Sequence, residues 1–290
     1  MNTSPLKMLG FTLIELMVSM ALGLLITLAA VQLLMINQSN FNVQRGMGNV
    51  QENGRFALDY INLTARSAEY SNAIGSTEMG IITDASELPL GAAITNKDAF
   101  ISRGSFTALG AGNSDQLVVR QWVSLNMPNF RDCEGNVVPV GNFSVTRYFM
   151  RADTLANSTS ALACDGGYYK DGDTTVTNYT DDGVVLLSTV DSFQVLYGVA
   201  STTPIPPVGQ RFPVRYMGME TYTAILPATD RPIISALRVG VLVRSSESIG
   251  ANYGIPADIS VLDATVAGTA INDQRVHRLF TSTLKLRNAI

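Results

Sequence analysis

Histidine is nearly missing from this 290-residue chain. His277 is the only one, so neither a histidine-based catalytic triad nor a multi-histidine metal site can be assembled within the chain. It lies between Val276 and Arg278 in a stretch with strand character, which predicts a surface or sheet-edge position. A basic excess is missing too. The 20 Lys and Arg are scattered singly against 24 Asp and Glu, for a formal net charge of −4, and this offers no footprint for a phosphate backbone. No nucleic-acid partner is expected. Cysteine is reduced to Cys133 and Cys164, too few for a cysteine metal site without two further ligands. Charge is wholly absent from residues 16–44.

That uncharged run is the first thing the sequence does contain. Residues 16–36 are almost wholly apolar and match the roughly 20 helical residues that cross a hydrocarbon core of about 30 Å. A secretory signal peptide would have a shorter apolar region followed by a small-residue cleavage site, whereas this one runs on into a helical pattern and is read as retained. Only Lys7 and the amino terminus precede it, so charge alone orients it weakly. The two cysteines, far beyond the anchor, add that the body is extracytoplasmic, where a pair is read as a disulfide; two unpaired buried thiols are the alternative. Within "GFTLIELMVSM", Glu15 is the only carboxylate. An acid inside a membrane-grade helix is a functional candidate, and in the first turn it also complements the helix dipole.

Beyond the anchor, Val43, Met47, Val50, Gly54, Ala57, Ile61, Ala65 and Ala68 recur in steps of three and four, one stripe of an amphipathic helix continuous with the anchor. Gly46 and Gly48 are its expected weak points, each costing about 1 kcal/mol relative to Ala. After residue 71 the period changes. "DQLVVRQWVSL", "NFSVTRYFM", "VVLLSTVDSFQVLYGV", "FPVRYMG", "ISALRVGVLVRS" and "HRLFTSTLKLRN" are rich in β-branched and aromatic residues and bounded by Gly, Pro, Asn and Asp. The fold class is α+β, a long N-terminal helix on an antiparallel β-sheet head. Leu237, Val239, Val241 and Val243 alternate with Arg238, Gly240, Leu242 and Arg244, so one face should meet the helix and the other loops or solvent. Residues 75–114, 152–182 and 201–210 read as long surface loops. In the second of these, Asp165, Asp171, Asp173, Asp181 and Asp182 gather. The stretch lacks the EF-hand spacing and its terminal Glu, so a solvated acidic loop is preferred, with Asp165, Asp171 and Asp173 as the candidate calcium ligands otherwise. No cofactor is required, and no nucleophile motif or pair of convergent acids suggests an enzyme.

"KMLGFTLIELM", a short leader ending in Gly10, then Phe11, Glu15 and an unbroken apolar helix, resembles the class III signal of type IV prepilins and pseudopilins. The runs "VQENGRFALDYINLTARSAEY", "FQVLYGV", "ALRVGVLVRSSE" and "VHRLFTSTLKLRN" resemble the PilW family of minor pilins. The resemblance implies residues 1–10 as leader, 11–36 as membrane and filament-core helix, 37–72 as its amphipathic continuation and 73–290 as an extracytoplasmic β-rich head. It implies cleavage by a prepilin peptidase between Gly10 and Phe11, N-methylation of Phe11, and neutralisation of a neighbouring subunit's terminal amine by Glu15. The implied partners are the major pilin, other minor pilins, the inner-membrane assembly platform and a tip adhesin. The implied location is the inner membrane with a periplasmic head, then the pilus. A type II secretion pseudopilin and a tip adhesion or DNA-uptake subunit are the competing readings. Major pilins often carry a proline late in the apolar segment; none occurs here between Pro5 and Pro89, and the chain is large, both of which favour a minor subunit.

Overall fold

In the computed structural model, residues 11–68, 80–107, 113–153, 160–201, 212–248 and 257–286 are described. Contacts divide the chain into two units, Met1–Arg45 and Gly46–Ile290. Helix α1 (Leu13–Ser67) contributes to both. In the first unit every described residue from 11 to 42 is exposed, and the helix is long and apolar enough to cross a membrane. Its few hydroxyls fold back onto the backbone. Ser19 Oγ donates to the Glu15 carbonyl at 2.7 Å and Thr27 Oγ1 to the Gly23 and Leu24 carbonyls at 2.9 Å, so little unmatched polarity remains on that surface.

The second unit holds the remaining elements. Strands β1 (Arg103–Thr107), β2 (Ser114–Trp122), β3 (Phe143–Arg151), β4 (Ala161–Tyr169) and β5 (Val184–Leu187) form an antiparallel five-stranded sheet in sequential order. Strands β6 (Val190–Ala200), β7 (Pro213–Met217), β8 (Ile234–Arg244) and β11 (His277–Lys285) form a second antiparallel sheet, ordered β11-β8-β6-β7. A short α2 (Met219–Thr223) follows β7, and β9 (Ile259–Val261) pairs with β10 (Ala264–Val266) as a ribbon. Among the described residues the head is thus two sheets and a ribbon, where the sequence suggested one sheet. β7 is short and leaves part of the β6 edge open. There Ser114 Oγ accepts from Phe193 N at 3.2 Å and Asp115 Oδ2 from Val195 N at 2.8 Å, so side chains from β2 close the edge and join the sheets. Burial pushes the Asp115 carboxyl up to about 6, although the amides of Val195 and Ser105 donate to it.

Residues Gly46, Val50, Gly54, Ala57, Leu58, Ile61 and Ala65 form the buried face of α1. Met47, expected on that stripe, is instead exposed, and Gly46 and Gly48 both remain helical. The helix packs over Tyr148, Met150, Phe193, Val195, Val239 and Val241 from both sheets, and Tyr148 OH donates to Thr64 Oγ1 at 2.8 Å. A Cβ on Gly54 would overlap the Phe280 ring, so only glycine admits this contact. The opposite face of the five-stranded sheet packs Val118, Phe143, Val145 and Tyr169 against Ile82, Leu88, Leu90 and Ile101. Those last four belong to the stretch expected to be a surface loop; at these positions it faces inward, while residues 92, 93 and 95–98 are exposed, and β1 lies within it. β4 is the larger correction. "ALACDGGYY" lies inside the second expected loop, yet forms a buried strand. Its small residues lack strand propensity but allow close approach: a Cβ on Gly167 would press on Thr177 and Tyr179. The third expected loop lies outside the described residues apart from Ser201.

Candidate functional site

Helix α1 starts at Leu13, which makes Thr12 its N-cap and Glu15 its third residue. Glu15 Oε2 accepts from Thr12 N at 2.9 Å and from Thr12 Oγ1 at 2.8 Å, while Glu15 N approaches Thr12 Oγ1 at 3.4 Å. This is a reciprocal capping box, which matches donors that the first helical turn would leave open. The signal, Thr-x-x-Glu before an apolar run, is present in "TLIE". Glu15 thus has a local role beside any role in subunit packing. Phe11 lies one residue before the cap and is 87% exposed; Gly10 and the leader lie outside the described residues.

In the second unit Cys133 and Cys164 are joined by a disulfide, with Cα atoms 6.3 Å apart. Closing a loop of this size stabilises a fold by about 3–4 kcal/mol in the chain-entropy model. The bond ties the turn that carries Asp132 and Glu134 to β4, where Asp165 follows Cys164. Asp165 is not a loop residue. Its side chain is fully buried, 2.7 Å from the Arg147 guanidinium, and Oδ2 also accepts from Thr180 N at 3.1 Å. Arg147 Nη2 donates to the Asp181 carbonyl at 2.6 Å, and its guanidinium stacks on Phe149 at 4.1 Å and Phe100 at 4.8 Å. Asp165, Glu134 and Asp181 converge, with one ligand atom from each within 4.8 Å of the others. Burial and the carboxylates of Asp181, Asp165 and Asp132 push the Glu134 carboxyl up to about 7. Asp171 and Asp173, grouped with Asp165 by sequence, are not part of this constellation. They sit in an exposed turn where Asp173 Oδ2 accepts from Lys170 N at 2.8 Å.

His277 corrects its expectation in part. It stands on the edge strand β11, but its side chain is 3% exposed, with Nε2 3.1 Å from Asp191 and Nδ1 3.1 Å from the Arg275 carbonyl. Asp191 also pairs with Arg244, so the histidine belongs to a structural ion cluster across β6, β8 and β11. A cavity of about 540 Å³ beside α2 is lined by Asp98, Arg103, Glu220 and Arg231 among others, with neither histidine nor cysteine among the described residues of its wall.

Residues 7–31 match the prokaryotic N-terminal methylation motif, and residues 147–288 match the family described as Type IV Pilus-assembly protein W. Together they make the chain similar to proteins of the type IV pilin class. Within that class the chain is PilW-like, with a pilin-like role in pilus assembly. No curated protein matches it. A type IV-like pilin from Thermus thermophilus is similar in structure at 13% identity, covering 83% of this chain and 98% of that one, with a TM-score of 0.42.

Proposed function

We propose that this protein is a non-catalytic minor pilin that promotes assembly of a type IV pilus and is incorporated at or near its tip. A prepilin peptidase cuts between Gly10 and Phe11, and the new amine on Phe11 is methylated. The apolar part of α1 then waits in the inner membrane with the head in the periplasm, until the assembly platform moves it into a filament. There Glu15 neutralises the amine of a neighbouring subunit. An ammonium buried without a partner in a helical bundle is strongly unfavourable, so this pairing selects one axial register. The head meets the other pilins and a tip adhesin.

The observation that carries this reading is one carboxylate in the first turn of α1, at the head of an exposed apolar stretch that is otherwise uncharged as far as residue 44, within a methylation motif. Two features support a terminal place over the repeating shaft. A repeating heterologous contact has to be compact enough to propagate, whereas a large two-sheet head suits the end of a fibre. Residues 13–67 also form one helix with no proline to loosen it. The test is to follow the head by immunoblot in membranes and in fibres sheared from the cell surface, for the wild type and for Gly10→Asp. The expected result is an N-terminus at Phe11 and head in the fibre fraction for the wild type, and an uncleaved leader with head confined to membranes for the variant. A wild-type head absent from fibres, or Phe11 at the N-terminus of the variant, would overturn the reading.

A further inference from the structure

We propose that Glu134, Asp165 and Asp181 form a binding site for a hard divalent cation, calcium, at the disulfide-linked corner of the head. Three observations carry it independently of the pilus role. The first is spacing. The three ligand atoms lie within 4.8 Å of one another, and a calcium ion bound to oxygens at about 2.4 Å spans about that distance between opposite ligands.

The second is an unmatched buried oxygen. The Asp165 side chain is fully buried and its Oδ2 is taken by Arg147 and Thr180, but Oδ1 has no hydrogen-bond partner among the described residues. Buried carboxylate oxygens are rarely left so, because the loss of hydration is not replaced. Asp132 Oδ2 is a second such oxygen, in the turn where Asp132 Oδ1 accepts from Glu134 N and Asn136 N at 3.0 and 2.8 Å. The neighbourhood gathers four carboxylates, Asp132, Glu134, Asp165 and Asp181, of which Asp165 pairs with the Arg147 guanidinium. A cation supplies what hydrogen bonds do not.

The third is rigidity. The disulfide fixes the residue before Glu134 to the residue before Asp165. Asn136 Nδ2 donates to Glu134 Oε2 at 3.3 Å and Gly183 N donates to Asp181 Oδ1 at 2.7 Å, so each acid is held by one oxygen and keeps the other for a ligand. An all-oxygen, all-anionic set selects hard ions over zinc or copper, and Glu134 and Asp181 lie near enough to the surface for water to complete the shell.

The test is calcium titration of the full chain in detergent micelles by calorimetry, after chelation and dialysis. The expected result is one site with a Kd in the range of about 10⁻⁵–10⁻³ M, and a melting temperature that rises with calcium. Glu134→Gln and Asp181→Asn, both outside the core, should weaken binding about tenfold or more while melting cooperatively in chelator. The paired substitution Asp171→Asn with Asp173→Asn should leave binding unchanged. No binding at several times the upper end of that range would overturn the proposal. So would full binding in Glu134→Gln and Asp181→Asn, loss of binding only in the Asp171 and Asp173 variant, or magnesium binding as tightly as calcium.

Discussion

Gly54→Ala should destabilise the head, whereas Gly48→Ala on the same helix should stabilise it. Both changes bring the same helix-propensity gain, about 0.5–1 kcal/mol. Gly48 has nothing within 4 Å of where its Cβ would stand, so it keeps that gain. At Gly54 the new Cβ would overlap three atoms of the Phe280 ring. That ring cannot simply swing away, because it packs on the core between helix and sheet and rises from β11 opposite Val241. Overpacking of this kind costs about 1–3 kcal/mol. Because the propensity gains cancel, the difference between the two variants isolates the clash, and it should appear as about 2–4 °C in melting temperature per kcal/mol. Thermal unfolding followed by circular dichroism measures it, with Phe280→Leu added to the Gly54→Ala background to restore space. A Gly54→Ala protein as stable as Gly48→Ala, or no energetic coupling between positions 54 and 280, would refute the packing account.

Glu15→Gln separates the two roles of that side chain. Its amide oxygen can still accept from Thr12, but it carries no charge, so it should be lost from sheared fibres as completely as Glu15→Val; wild-type incorporation of Glu15→Gln would leave only the capping role. Asp115 gives a pH dependence. Its folded carboxyl titrates at about 6 against an ordinary value of 3.8, so the stability it contributes is fully present below about pH 4 and lost as pH rises through 6. This amounts to a loss on the order of 3 kcal/mol, seen as a melting temperature that falls between about pH 4 and 6 and levels off above, and Asp115→Asn should flatten that part of the curve. Reducing the Cys133–Cys164 bond should lower the melting temperature by the equivalent of about 2–4 kcal/mol, and an unchanged midpoint would show that the bond contributes nothing to the fold.

The legible elements are those whose periodicity is set by one environment. α1 alternates three and four because one stripe meets the sheets, and β8 alternates by two because Val239 and Val241 face the helix while Arg238 faces out. β4 is illegible because its residues are chosen for closeness rather than propensity. Gly166 lies under Asp132 and Gly167 under Tyr179, so the sequence has the small residues typical of a loop. The acidic stretch misleads for a related reason. Chain proximity groups Asp165 with Asp171, Asp173, Asp181 and Asp182; Asp181 does converge with it, but Glu134 is brought to it from outside the stretch by the disulfide. His277 reads as exposed because its partners Asp191 and Arg244 lie on other strands. The capping box at Thr12 is local and legible as Thr-x-x-Glu before an apolar run.

The proposed work of this chain is to promote fibre assembly. It is tested most directly by counting surface pili, alongside the secreted proteins, in cells deleted for it, with and without an active retraction motor. Pili lost on deletion, partly restored when retraction is blocked, and secretion unchanged are the results predicted. Normal pili with exoproteins held in the periplasm would contradict the account and assign the same helix to a secretion pseudopilus.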